Sequence, residues 1–218
     1  MKIVWQKAPV TCCLISVMVI IYLGMLVTGG FTTYNLLRWG ALYPPLVVHS
    51  QWWRLFTAGF IHLGWEHILM NGLTLYLIGY YVEQLFGHWR LLGLFILSVL
   101  GGNLASFAFD PTAIAAGAST GIFGLFGAFI FLGSEFRNNN GVRLMARQFL
   151  ILVVVNVVFD IFMPHVGLAA HLGGFLVGFL AAAALGAPRL GKISLLKRLL
   201  SGTILIVLGF LFYGLGRF

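Results

Sequence analysis

Two short runs decide how this chain folds: Gly117-Ala118-Ser119-Thr120-Gly121-Ile122-Phe123-Gly124 and, about fifty residues further on, Ala170-His171-Leu172-Gly173-Gly174, each set inside a strongly apolar stretch. A serine there is, by itself, an ordinary helix cap. An imidazole at membrane depth is costly to desolvate and is a functional-site candidate by default. Glycines beside both residues remove side chains where two helices must approach, and small residues at helical spacing permit that contact in lipid. The two runs together predict packed membrane helices that bring a hydroxyl and a base into contact, and with them hydrolysis inside a bilayer.

The composition agrees. Hydrophobic residues make up 61% of the 218 positions, charged residues 8%, and mean hydropathy is +1.02, far from the roughly 25% charged content of soluble domains. The expectation is an all-α polytopic membrane protein forming one domain over residues 1–218. The formal charge of +8 suggests nucleic acid in a soluble protein, but here the basic residues lie between spans and read as topology signals, so no nucleic-acid partner is expected. Cys12 and Cys13 are adjacent and within an apolar run, a poor geometry for a disulfide and no metal spacing. Lys2 and Lys7 precede an apolar stretch longer than a signal-peptide core, which reads as a retained signal anchor.

Apolar runs between charges and turn residues predict seven spans, at about 9–28, 62–82, 90–109, 118–135, 147–163, 168–186 and 199–216. The fourth and fifth are short for perpendicular helices. Residues 31–61 hold Arg38, Pro44, Pro45, His49 and Arg54 among Trp39, Tyr43, Trp52 and Trp53, and aromatics of this kind favour the headgroup region. This stretch reads as an interfacial first loop, with Arg54 a headgroup or loop anchor. With the N-terminus inside, ten basic residues (Lys2, Lys7, Arg90, Arg137, Arg143, Arg147, Arg189, Lys192, Lys197, Arg198) are inner and three (Arg38, Arg54, Arg217) outer. That bias predicts a cytoplasmic N-terminus and an external C-terminus.

In this topology the second, fourth and sixth spans run inward, and each carries its polar residues near its start: His62, His67 and Asn71; Ser119; His171. At 1.5 Å per residue, Asn71 lies roughly 13 Å in from His62, and Glu83 about 24 Å beyond His67, out of reach and suited to anchoring the inner end. Acyl transfer needs a nucleophile, a base and donors for the oxyanion. Ser119, at the first turn of its helix, supplies a hydroxyl and a free amide. His67 and Asn71, at i and i+4, share one face, and Phe123 lies one turn below Ser119, where a ring braces an imidazole. Asp160 and Asp110 have no partner pattern that makes either a third member, so a Ser-His dyad is expected. His62 reads as structural, Asn156 as an interhelical bond, and His49, His88 and His165 as interfacial.

The Gly117–Gly124 run, His62-x4-His67-x3-Asn71, Trp53-Arg54 and His171-x-x-Gly174-x3-Gly178, in this order on alternating helices, together resemble the rhomboid intramembrane serine proteases. The resemblance covers residues from about 10 to 187. It implies a six-helix core (about 9–187) with the seventh span (about 195–217) as the extra C-terminal helix of some members. It further implies a Ser119 nucleophile, a His171 base and an oxyanion site from the Ser119 amide, His67 and Asn71, with Phe123, Gly117, Gly174 and Gly178 supporting. The implied substrates are transmembrane segments cut near the outer face of a plasma membrane of bacterial type. No metal or organic cofactor is implied, and oligomeric state is not specified. Phe123 stands where many members have tyrosine, and Thr120 where a glycine is common. Competing readings are a catalytically inactive rhomboid-like protein that binds membrane clients, a small transporter, and a zinc protease using His62, His67 and His171. For the last, His62-Leu63-Gly64-Trp65-Glu66-His67 is one residue too long and its glutamate is misplaced.

Overall fold

The computed structural model describes residues 7–162 and 167–217; Lys2 and His165, both read above from sequence, lie outside them. The described residues form ten α-helices: α1 (Pro9–Val27), α2 (Thr33–Trp39), α3 (Pro44–Val48), α4 (Arg54–Thr57), α5 (Trp65–Phe86), α6 (His88–Phe109), α7 (Ser119–Glu135), α8 (Asn140–Phe162), α9 (Leu168–Leu185) and α10 (Leu195–Leu215). Seven are long and three short, the short ones all within the first loop. Five of the long helices are apolar and long enough to cross a membrane. α7, at 17 residues, is shorter, and α5 is diluted by Glu66, His67, Asn71 and Glu83. The chain is a multi-pass integral membrane protein.

The start of α8 departs most from the expected spans, whereas α10 begins where the extra C-terminal helix of about 195–217 is expected. α8 begins at Asn140, not near 147, because Asn139 Oδ1 accepts the Val142 amide at 3.1 Å. Its 23 residues are ample for a span, so the expected short fifth helix is corrected. α10 begins at Leu195, where Ser194 Oγ accepts the Lys197 amide at 3.4 Å. In both cases a polar cap placed ahead of the first apolar residue extends the helix through basic residues.

α7 is the centre of the bundle. It is buried on almost every side, as a helix apolar all round must be, and α5, α6, α8 and α9 surround it. Its closest neighbour is α9. A Cβ at Gly178 would overlap the backbone of Gly124, and one at Gly174 would meet the Thr120 carbonyl. Backbone-to-backbone contact at these points sets the α7–α9 distance, and hence the distance between Ser119 and His171. α10 lies outside, against α6 and α9, with Phe107 near Tyr213 and Phe109 near Phe212 at 6.1 and 5.8 Å between ring centroids.

The first loop is tied to the segment before Ser119. Leu42 and Ala115 exchange backbone hydrogen bonds of 2.9 and 3.0 Å, and the Gly117 amide donates to Ala58 O at 2.9 Å. Asn103 Nδ2 on α6 donates to Leu55 O at 2.8 Å. Arg54 is buried and donates through Nη1 to Leu37 O and Ala41 O, both at 2.8 Å, and through Nε to Gln51 Oε1 at 2.7 Å. Of the two roles expected for it, it fills that of loop anchor.

Candidate active site

Ser119 opens α7, preceded by Ala118, which has no capping side chain. The amides of this first turn have no intrahelical acceptor, and the hydroxyl is not used as a cap. Instead Ser119 Oγ lies 2.8 Å from His171 Nε2. His171, one turn into α9, stacks on Phe123 with centroids 4.3 Å apart and planes 8° from parallel.

On the other side, Gly117 makes the approach possible. Its φ of +140° is one that side chains disfavour, and a Cβ there would fall 2.8 Å from both Cε1 and Nε2 of His67. His67 therefore closes over Gly117 toward Ser119. The Leu63 amide donates to His67 Nδ1 at 3.3 Å, so the proton of the neutral ring is on Nε2, where it serves as a donor. Asn71, buried, gives one N–H to His67 O at 3.0 Å and has a second available. Ser119, His171, His67, Asn71 and Asn156 line one cavity of about 580 Å³. These five side chains bring a hydroxyl, two imidazoles and two carboxamides together among apolar helices.

One expectation is overturned. A carboxylate does meet His171: Asp160 Oδ2 lies 2.6 Å from Nδ1. Asp160 and Asn156 are four residues apart on α8 and so share a face, which is the signal in the sequence that pointed to the cavity. Among the described residues Asn156 makes no interhelical bond; its Nδ2 donates to Leu152 O at 2.8 Å. Thr120 is buried against Gly102, whose missing Cβ leaves room for its methyl group.

His62 stands apart in the extended stretch before α5. It is fully buried and edge-on to His67 at 5.2 Å. Burial, with the neighbouring His67, pushes its pKa down to about 3, which keeps it neutral. Among the described residues no three His, Cys, Asp or Glu side chains come together as metal ligands, and the zinc reading gains no support.

The fold and the pocket define a class: a polytopic helical membrane protein with a serine and a histidine in hydrogen-bond contact below its surface. The family model of the Rhomboid domain matches residues 49–188, and the chain belongs to the rhomboid family. It is 35% identical over 212 residues to Rhomboid protease GluP of Bacillus subtilis (strain 168), covering 96% of this chain and 41% of that protein. It is 39% identical over 158 residues to RHOMBOID-like protein 1 of Arabidopsis thaliana (69% of this chain, 39% of the other). Its identity to RHOMBOID-like protein 5 of the same plant is 37% over 150 residues (66% and 48%). The chain thus spans less than half the length of these relatives.

Proposed function

We propose that the protein is an intramembrane serine protease that cleaves transmembrane segments of other membrane proteins near the outer face, with Ser119 as nucleophile and His171 as general base. The observation that carries this reading is the 2.8 Å contact between Ser119 Oγ and His171 Nε2 inside a cavity among apolar helices. A substrate helix enters sideways, past α8 and the first loop, and unwinds so that a peptide carbonyl meets Ser119. His171 takes the hydroxyl proton as Oγ attacks, and the oxyanion is held by the Ser119 amide, His67 Nε2–H and the free N–H of Asn71. His171 then returns the proton to the leaving amine, and water resolves the acyl-enzyme by the same route. Phe123 braces the base, Gly117 admits His67, and Gly174 and Gly178 hold α9 against α7. The positive-inside bias supports an orientation with the N-terminus cytoplasmic and the pocket toward the outside.

Labelling with a fluorophosphonate probe tests the reading without a known substrate. Wild type is expected to label, and Ser119→Ala and His171→Ala to lose labelling and cleavage of a transmembrane substrate in detergent while remaining folded. Full turnover by either variant removes Ser119 and His171 from the chemistry.

A further inference from the structure

We infer that Asp160 is a positioning residue for His171, making the working constellation Ser119–His171–Asp160; this rests on the reading of Ser119 and His171 as nucleophile and base. The Asp160 carboxylate and the His171 ring are largely enclosed, their side chains 8% and 13% exposed, with 2.6 Å between Oδ2 and Nδ1. A carboxylate at membrane depth is costly to keep, and here it faces the histidine whose Nε2 meets the serine hydroxyl.

Two geometric facts define its task. A neutral imidazole carries one N–H, and a carboxylate only accepts, so Asp160 holds the proton on Nδ1 and leaves the Nε2 lone pair facing Ser119 Oγ. Stacking on Phe123 fixes the plane of the ring but not which edge faces the serine. A half-turn about Cβ–Cγ preserves the stack while exchanging Nδ1 with Cδ2 and Nε2 with Cε1. The hydrogen bond to Asp160 removes that second arrangement. Phe123 on α7 therefore selects the plane, and Asp160 on α8 selects the edge and the tautomer. Among the described residues, a further titratable group close to His171 is His67 on α5.

In the reaction the Oγ–H proton passes to Nε2 as Oγ bonds to the carbonyl carbon. Nδ1–H stays on Asp160 throughout, and the Nε2 proton leaves with the amine as the C–N bond breaks. Asp160 gains no proton; it holds the imidazolium in place.

The test is turnover of a transmembrane substrate by the purified full chain in detergent, with ¹⁵N NMR of the His171 ring. Asp160→Asn presents an N–H to Nδ1 and favours the Nε2–H tautomer, which cannot accept from serine. It is expected to lower kcat by about 10²- to 10⁴-fold with KM little changed, and to move the ring proton to Nε2. Asp160→Ala imposes no tautomer and loses less, and Asp160→Glu recovers activity over Ala. A residue that only fills space gives the reverse order, with the near-isosteric Asn mildest. That order, or wild-type kcat in Asp160→Asn, overturns the inference. If the Asn variant fails to fold, the remaining pair decides, equal activity of Glu and Ala overturning it. Cleavage by Ser119→Ala overturns the protease reading instead, whereas an inactive Ser119→Ala beside a fully active Asp160→Asn overturns only the role of Asp160.

Discussion

Two histidine–carboxylate contacts of the same length stand in different parts of this bundle. His88 Nδ1 meets Glu83 Oε1 at 2.6 Å where α5 turns into α6, and His171 Nδ1 meets Asp160 Oδ2 at 2.6 Å beside Ser119. Their surroundings differ. Glu83 is fully enclosed and also accepts from the Val10 amide (2.9 Å), the Thr11 amide (2.8 Å) and Thr11 Oγ1 (2.7 Å), while its histidine is 44% exposed. A carboxylate from α5 thereby caps α1, where α1 has no cap of its own, and the negative charge sits against the positive end of the helix dipole. Asp160 serves a histidine whose other nitrogen meets a hydroxyl in a cavity. An identical pair is a clasp where the carboxylate is saturated by backbone donors, and chemical equipment where the second ring nitrogen has a nucleophile to act on.

The largest expected effect breaks the clasp. Glu83→Ala leaves a buried amide, a part-buried amide and a threonine hydroxyl without their acceptor; at about 1.5–3 kcal/mol for each hydrogen bond to a charged group, partly recovered by relaxation, the loss is about 3–5 kcal/mol. Thermal unfolding in detergent is the measurement. His88→Ala, at the exposed side of the same contact, should cost no more than about 1 kcal/mol. Both proteins, at a temperature where they are folded, should label with the fluorophosphonate probe as wild type does. An unchanged melting temperature in Glu83→Ala, or lost labelling in a folded variant, erases the distinction between the two pairs.

A smaller effect sharpens the comparison from the cavity side. Asn71 is buried beside His67 and spends one N–H on its helix. As an oxyanion donor it acts mainly in the transition state, so Asn71→Ala should lower kcat about 10²-fold with little change in KM. Stopped-assay kinetics on a transmembrane substrate read the split directly. Unchanged turnover would make Asn71 a structural residue like Glu83.

The same contrast explains what could be read from the sequence. Depth along a helix follows from residue count, so the level of His67, Asn71, Ser119 and His171 was legible from the apolar runs and the rise per residue. Rotation about a helix axis does not follow from it, so the sequence leaves Asp160 unassigned: nothing in its depth says which side of α8 faces His171. The i, i+4 pair Asn156 and Asp160 was the available sign of a polar face. The start of α8 is obscured in the sequence because Arg143 and Arg147 look like loop charges, although long basic side chains extend from a helix end to the interface. The capping of α1 by Glu83 has no local signature at all, since its partners lie more than seventy residues away. Thr120 for the common glycine becomes intelligible only beside Gly102, a neighbour that helix packing supplies.

The smallest expected effect concerns a third imidazole that has no carboxylate. His62 is enclosed, and burial together with His67 pushes its pKa down to about 3, against roughly 6.5 when unfolded. Between these values the unfolded chain binds a proton that the folded chain refuses, so the contribution of His62 is fully present above about pH 6.5 and is lost as pH falls toward 3. His88 and His171 each meet a carboxylate, whereas His62 meets none among the described residues. Replacing it with a neutral side chain of similar size, His62→Gln, should flatten the fall of melting temperature between pH 7 and about 4 while leaving cleavage at pH 7 close to wild type. An equally steep fall in His62→Gln would remove His62 as the source of the acid sensitivity, and the claim that a buried histidine without a carboxylate behaves differently from a clasped one would fail.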